Sequence, residues 1–93
     1  MSEVTVRIPA PLRAFADGRA ELGAPAGTVA DVLQAACEHY PGLGQRLFTP
    51  EGELRPFVNV FVGERHIAGL QGLDTQVESG DVLSIIPAVA GGC

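Results

Sequence analysis

The residues best suited to chemistry stand together at the C-terminal end of the sequence, where Ala90 is followed by Gly91, Gly92 and Cys93. Two consecutive glycines lack Cβ atoms, so the backbone can pass through a narrow channel and adopt almost any φ. A glycine carboxylate is also the least hindered acyl group that a protein chain can present. These residues therefore suit a tail that presents the Gly92 acyl group to the active site of another protein. The alternatives from the residues alone are a frayed terminus or, with Cys93, a cloning remnant.

Three other side chains could act as nucleophiles or metal ligands, namely Cys37, His39 and His66. Cys37 falls beside the apolar stripe of a predicted helix, and no basic residue near it in sequence would lower its pKa. We expect it to be a small residue at the edge of the core. The two histidines are far apart in sequence and lack nearby partners, so both are expected at the surface. No cysteine or histidine spacing typical of a metal site occurs.

The composition bounds the class of protein. A chain of 93 residues with 46% apolar residues suits one domain with a modest core and little room for a deep catalytic cavity. Its net charge of -5 argues against nucleic-acid binding, which needs a basic footprint. All six basic residues are arginine, so the chain cannot carry lysine-linked copies of itself. With no apolar run near about 20 residues and no leader-like start, we expect a cytoplasmic protein.

The first half of the chain predicts two strands and a helix. Val4, Val6 and Ile8 alternate with polar residues, as in a half-buried strand. After a turn signal at positions 17–18, a weaker strand is predicted over 19–22 and a short loop over 23–27. Thr28 suits the N-cap of a helix, with Asp31 as the acidic member of a capping box. Proline and glycine at 41 and 42 should end that helix.

The second half predicts an irregular crossover over 43–54, with a short helical piece at 45–48. The strongest strand follows at 57–62, a short return strand at 65–67 and the last strand at 82–86, which Pro87 ends. Two hairpins separated by one helix make an α+β domain. We predict a β-grasp, ubiquitin-like mixed sheet with its first and last strands parallel at the centre and the main helix on one face. This domain should span 1–87, and 88–93 should be a flexible tail whose six residues reach about 20 Å when extended.

Three segments of the sequence carry a resemblance to a known family. These are FVNVFV at 57–62, Gly72-Leu73, and SGDVLSIIPAVAGG at 79–92. Together they resemble the MoaD/ThiS group of β-grasp sulfur carriers, and the match is closest to the CysO type. The first strand and the Thr28-capped helix agree more loosely.

The resemblance implies a function and a set of partners. An adenylating enzyme of the ubiquitin-activating type (MoeB/ThiF-like) would adenylate the Gly92 carboxylate, and sulfide or a persulfide would then give a thiocarboxylate. A sulfur-accepting synthase, such as a cysteine-synthase-like enzyme, would consume it. The chain itself would be a carrier and not an enzyme, with no cofactor. The acceptor stays open among cysteine, thiamin thiazole, molybdopterin, a thiosugar and a siderophore.

Cys93 departs from the family pattern, which ends at the second glycine. While Gly92 is held in a peptide bond, it has no free carboxylate to adenylate. Cys93 could be a pro-residue that a JAMM/Mov34 zinc metalloprotease removes. It could instead be a cysteine adduct, because an S-to-N acyl shift on a CysO-type carrier leaves cysteine amide-linked to the last glycine. It could also be engineered or incidental.

A partner-binding face is predicted on the sheet. Asn59 and Ser84 mark the outer parity of their strands, which leaves Phe57, Phe61 and Ile86 partly exposed beside the tail. We expect these three to dock on the adenylating enzyme, unless the segment 43–55 covers them. Two other functions stay open: a ubiquitin-like modifier conjugated through Gly92 to lysines of other proteins, and a plain interaction module whose tail is irrelevant.

Overall fold

The computed structural model describes residues 3–87, so the predicted tail at 88–93 lies outside the described residues. One five-stranded sheet has the order β2-β1-β7-β4-β5, and a two-stranded ribbon pairs β3 with β6. The strands are β1 (Glu3–Arg7), β2 (Glu21–Pro25), β3 (Gly27–Thr28), β4 (Val58–Val62), β5 (Arg65–His66), β6 (Gln76–Val77) and β7 (Val82–Pro87). The two α-helices are α1 (Val29–His39) and α2 (Pro41–Leu47).

The centre of the sheet is formed as the sequence predicts. β1 and β7 are parallel, with Val6 opposite Leu83, and β4 runs antiparallel on the other side of β7. Side chains of alternate residues point to the same face of a strand. Val4 and Val6 are therefore buried together with Leu83 and Ile85, and α1 packs over them. This is the β-grasp topology, with a mixed sheet and the main helix on one face.

The predicted start of α1 is confirmed. The Thr28 side-chain oxygen accepts a hydrogen bond from the Asp31 backbone N–H at 3.1 Å, and the Asp31 carboxylate accepts one from the Thr28 N–H at 3.3 Å. These two bonds form a reciprocal capping box. The apolar stripe of the helix is buried at Val29, Val32, Leu33 and Ala36.

Several predicted boundaries are wrong by a few residues. The predicted turn is present, with Asp17 (φ 55°) and Gly18 (φ 77°) in left-handed conformations. β2 nevertheless occupies Glu21–Pro25 and not 19–22, because the Arg19 N–H still closes the turn on the Ala16 carbonyl. Ala24 is buried like Leu22, so the strand continues through positions 23–25, where a loop was predicted. β4 begins at Val58 and not at residue 57, β5 ends at His66, and β7 continues through Pro87.

The crossover is more regular than predicted. The proline at 41 does stop α1, but it also occupies the first position of α2, where its missing N–H costs nothing. α2 therefore covers Pro41–Leu47 and buries Leu43 and Leu47, and the predicted helical piece at 45–48 is too short and too late. The sequence prediction also missed a 3-10 helix at Ala10–Ala16, which packs against α2.

Across residues 3–87, the structure contains no helix with the length and apolar character needed to span a bilayer.

Candidate functional site: the sheet surface at the base of the tail

The predicted reactive residues Ala90, Gly91, Gly92 and Cys93 lie outside the described residues. The structure describes the strand that leads to them. β7 is the third of five strands and ends at Pro87, which is opposite Val58 of β4. The residues before the tail therefore belong to the central strand of the sheet, which has β1 on one side and β4 on the other.

The face of the sheet opposite α1, here called the outer face, carries Phe61 and Ile86, two of the three predicted docking residues. Phe57 precedes β4 and lines a concavity with Gln45 and Arg46 of α2. Asn59 is directly opposite Ile86, and Phe61 is directly opposite Ser84. Phe57 and Ile86 are the exposed large hydrophobic residues among residues 3–87, at 45% and 49% exposure. The alternative that segment 43–55 covers these two side chains is therefore wrong.

Phe61 is half-buried because a histidine packs against it. His66, directly across the hairpin, meets the Phe61 ring edge-on with centroids 4.9 Å apart. The His66 Nδ1 atom accepts a hydrogen bond from the Ala68 N–H at 2.9 Å, so the ring proton resides on Nε2, which lies 2.9 Å from the Asn59 side-chain oxygen. The expectation that His66 has no partner is wrong. This contact also fixes Asn59, whose oxygen is occupied while its NH₂ group remains available.

A concavity of about 270 Å³ lies on the β1 side of the end of β7. Its wall is formed by two arginines, one serine and four apolar residues: Arg7, Arg13, Ser84, Ile8, Pro9, Ile85 and Ile86. Arg13 is half-buried, and its Nε donates a hydrogen bond to the Ile8 carbonyl at 3.0 Å. Arg7 ends β1 and is exposed. This concavity therefore combines two cations with the exposed Ile86.

A second concavity, of about 450 Å³, lies on the β4 side and is lined by Gln45, Arg46, Arg55 and Phe57. Arg55 is half-buried, and its Nε donates to the Gln45 carbonyl at 3.0 Å. Arg46 is exposed, and its guanidinium carbon lies 4.5 Å from the centre of the Phe15 ring, at cation–π distance. Neither concavity was predicted from the sequence, because their arginines come from four separate elements.

Cys37 is half-buried at the edge of the core, as expected. Burial raises the pKa of its thiol from 9.0 to about 11. The thiol is therefore protonated near neutral pH, which makes it a weak nucleophile. Within the described residues, no group of three or more His, Cys, Asp or Glu side chains is placed to hold a metal ion.

Comparisons with known proteins identify the family of the chain and agree with its β-grasp fold. The ThiS family model matches residues 6–92, so the match ends at Gly92 and excludes Cys93. The sulfur carrier protein CysO of Mycobacterium tuberculosis is 37% identical over 91 residues, covering 96% of this chain and 98% of that protein. Small archaeal modifier protein 3 of Haloferax volcanii is 43% identical over 65 residues, covering 70% of each chain. A chain in the crystal structure of the Amycolatopsis orientalis BexX/CysO complex superposes with a TM-score of 0.88 at 37% identity, covering 96% of this chain and 99% of that one.

Proposed function

Because this chain belongs to the ThiS family, we propose that it is a sulfur carrier protein whose acyl group is that of Gly92. The observation that carries the proposal is the match over nearly the whole length of a sulfur carrier, with the family match ending at Gly92. The fold supports it, because a sheet with a buried inner face is a rigid handle. A partner that binds this handle can receive a short tail extending from the centre of the sheet.

The proposed chemistry has two steps, both performed by a partner enzyme. In the first, a Gly92 carboxylate oxygen attacks the α-phosphorus of ATP, and pyrophosphate leaves. In the second, the sulfur of sulfide or the terminal sulfur of a persulfide attacks the acyl-adenylate carbon, and AMP leaves. A persulfide gives an acyl disulfide, and a second thiol must then attack its outer sulfur, which forms a new disulfide and releases the thiocarboxylate. Adenylation is needed because a carboxylate is a poor electrophile, whereas AMP is a good leaving group.

The bond between Gly92 and Cys93 controls entry into this chemistry. As long as Cys93 is attached, Gly92 is an amide with no carboxylate to adenylate. We propose that hydrolysis of this bond, by a zinc metalloprotease of the JAMM/Mov34 type, releases the active carrier. The same hydrolysis would be required if Cys93 were a cysteine product carried on Gly92, so both origins of Cys93 converge on one reaction.

The outer face is the proposed docking site for the adenylating enzyme. Ile86 is one residue from the end of β7 and half-exposed, and Phe57 is exposed just before β4. Phe61 completes the apolar patch further from the tail, with its ring held by His66. Burying such side chains in a complex is favourable at about 25 cal/mol per Å². A patch beside the tail would thus supply affinity and fix the direction in which the tail enters the enzyme.

The likeness to CysO favours cysteine biosynthesis, with a cysteine-synthase-like enzyme as the sulfur acceptor. A second candidate function is favoured by the 43% identity to a small archaeal modifier protein. In that function, Gly92 would be conjugated to lysines of other proteins. The two functions share the adenylation step and differ in the acceptor.

Intact-mass spectrometry tests the proposal directly. A chain ending at Gly92 is incubated with ATP, a sulfide source and the ubiquitin-activating-type enzyme of the source organism. We expect the mass increase of one oxygen-to-sulfur exchange, and no change for the chain that retains Cys93. Conversion of the Cys93-containing chain without loss of Cys93 would contradict the proposed role of that bond.

The same reaction, run in cell extract, separates the two candidate functions. A free thiocarboxylate supports sulfur transfer. Adducts of Gly92 with lysine side chains of other proteins support the modifier function. If removal of Gly91 and Gly92 changes neither outcome, the tail is irrelevant and both proposals fail.

A further inference from the structure

Four arginines line two concavities near the end of β7. Arg7 and Arg13 line the concavity on the β1 side of β7, and Arg46 and Arg55 line the one on the β4 side. We call these four residues the arginine collar. β7 lies between β1 and β4, and Pro87 at its end is opposite Val58, the residue that follows Phe57. A protein that binds this end of the sheet would meet both concavities.

Each side of the collar combines one half-buried arginine, held by a hydrogen bond, with one exposed arginine. Arg13 and Arg55 are half-buried, and each donates its Nε–H to a backbone carbonyl at 3.0 Å. A guanidinium held at Nε keeps its four Nη–H donors in a fixed fork, which matches the two oxygens of a carboxylate. Arg7 and Arg46 are exposed, so a partner can reach their guanidinium groups, and that of Arg46 lies against the Phe15 ring. The fixed pair loses little side-chain entropy on binding, which favours a specific contact.

The positive charge of the collar contrasts with the negative net charge of the chain. The chain has a net charge of -5. Glu3 begins β1, Glu64 lies in the β4–β5 turn and Asp81 precedes β7, so these carboxylates lie at the end of the sheet opposite the collar. On the collar side, Glu21 lies across from Arg7, and Glu51 and Glu53 precede Arg55 in the chain. Carboxylates therefore occur at both ends of the sheet, and the collar groups four cations that an acidic surface would attract.

From these contacts we propose that the collar binds carboxylates of the adenylating enzyme on both sides of the channel that admits the tail. The inference rests on the proposed function and specifies the chemistry of the partner. Phe57 and Ile86 lie in the same two concavities as the arginines, so the complementary surface is an apolar patch with an acidic rim. A nucleic acid is a less suitable partner, because its phosphates would be attracted by only four arginines and repelled by the net negative charge of the chain.

A pair of matched double variants tests this proposal. In a chain ending at Gly92, R7Q/R46Q removes one exposed arginine from each side of the collar. R19Q/R65Q removes the same charge from two exposed arginines that line neither concavity. Thermal unfolding first checks that both variants are folded. Binding to the adenylating enzyme is then measured without ATP, by surface plasmon resonance at low and high ionic strength.

We expect about tenfold weaker binding for R7Q/R46Q, as two lost charge-assisted contacts predict, and less than about a twofold change for R19Q/R65Q. The difference should shrink at high salt. A further variant, R13K/R55K, keeps the charge but removes the fixed fork, and we expect about threefold weaker binding.

Equal losses in the two double variants would reduce the effect to net charge and overturn the proposal. So would unchanged binding of R7Q/R46Q, or tight binding of the chain to DNA or RNA that the collar variants abolish while enzyme binding is retained. If the unsubstituted chain ending at Gly92 is adenylated normally while the collar variants bind as well as it does, the collar proposal fails and the proposed function stands. If the unsubstituted chain ending at Gly92 neither binds nor is adenylated, both fail.

Discussion

The two faces of the central sheet differ in their exposure: one is covered by a helix and the other is open to solvent. The inner face is closed by α1, and Leu83 and Ile85 of β7 are 0% and 2% exposed there. On the outer face of the same strand, Ile86 is 49% exposed. Two polar residues, Asn59 and Ser84, share this face with it. One strand therefore serves both purposes with alternate residues. The inner residues hold the domain together, and the outer ones remain available to a partner.

This division explains how a chain of 93 residues can form a closed core and still present a surface for binding a partner. A small domain has few residues to spare for its core, so a binding surface that shared core residues would cost stability. The pleat of the strand separates the two tasks at single-residue spacing. The division can be tested by changing residues on each face and measuring stability and activation separately.

The largest effect is expected at the centre of the inner face. Leu83→Ala should lower the free energy of unfolding by about 2–5 kcal/mol, because it removes buried methyl groups and leaves a cavity under α1. Ile86→Ala, three residues later on the outer face, should cost less than about 1 kcal/mol, because its side chain is half-exposed already. Urea unfolding measures both. Equal losses at the two positions would contradict the division between the faces.

The burial of Cys37 on the inner side of the sheet predicts that its thiol reacts slowly with alkylating agents. Cys37 is half-buried between α1 and α2, and burial raises the pKa of its thiol from 9.0 to about 11. Near pH 8 the thiolate fraction, and with it the rate of alkylation by iodoacetamide, should be roughly 100-fold lower than for an unshifted thiol, since each pKa unit is tenfold. Because the folded pKa is the higher one, this group's contribution to stability is complete below about pH 9 and is lost as the pH rises through about 11.

The measurement uses a chain ending at Gly92, so that Cys37 is the single cysteine. The same chain in urea is the control, because unfolding exposes the thiol and should restore the ordinary rate. Equally fast alkylation of the folded and unfolded chains would show that Cys37 is not protected.

The sequence predicted the fold well because the fold depends on periodicity and capping. The alternation in β1 and the Thr28 cap are local signals, and the structure contains both. The start of β2 was misplaced because Arg19 and Ala20 still belong to the connection after the Asp17-Gly18 turn, where the Arg19 N–H donates to the Ala16 carbonyl, and ladder pairing with β1 begins at Glu21. The contact between His66 and Asn59 was missed because it depends on hairpin register, which a single sequence does not fix.

The arginine collar could not be predicted for a different reason. Its members lie at positions 7, 13, 46 and 55, in four elements that meet only when β1 and β7 pair in parallel. By contrast, Phe57 and Ile86 were expected to be exposed from strand parity alone, and they are. Their role in docking remains a prediction.

That role predicts a smaller effect than the core change, and one on activation instead of stability. Ile86→Ala should lower kcat/KM for adenylation by about tenfold, the effect of losing about 1.4 kcal/mol of contact energy in the complex. The assay is pyrophosphate release with a chain ending at Gly92. Val82→Ala is the matched control, because Val82 lies on the same face of β7 at the end furthest from the tail. Equal effects at the two positions would mean that the whole face, and not its tail end, meets the enzyme.

The smallest effect is expected where α1 begins. Thr28→Ala removes the oxygen that accepts the Asp31 N–H, and should cost about 1 kcal/mol of unfolding free energy. Thr28→Ser keeps the acceptor and should retain most of that stability. Neither change touches the outer face, so adenylation by the partner should be unaffected while the domain stays folded. A loss of activation that exceeds the loss of stability would show that the helix side also meets the enzyme, and that the two faces are less separate than the geometry indicates.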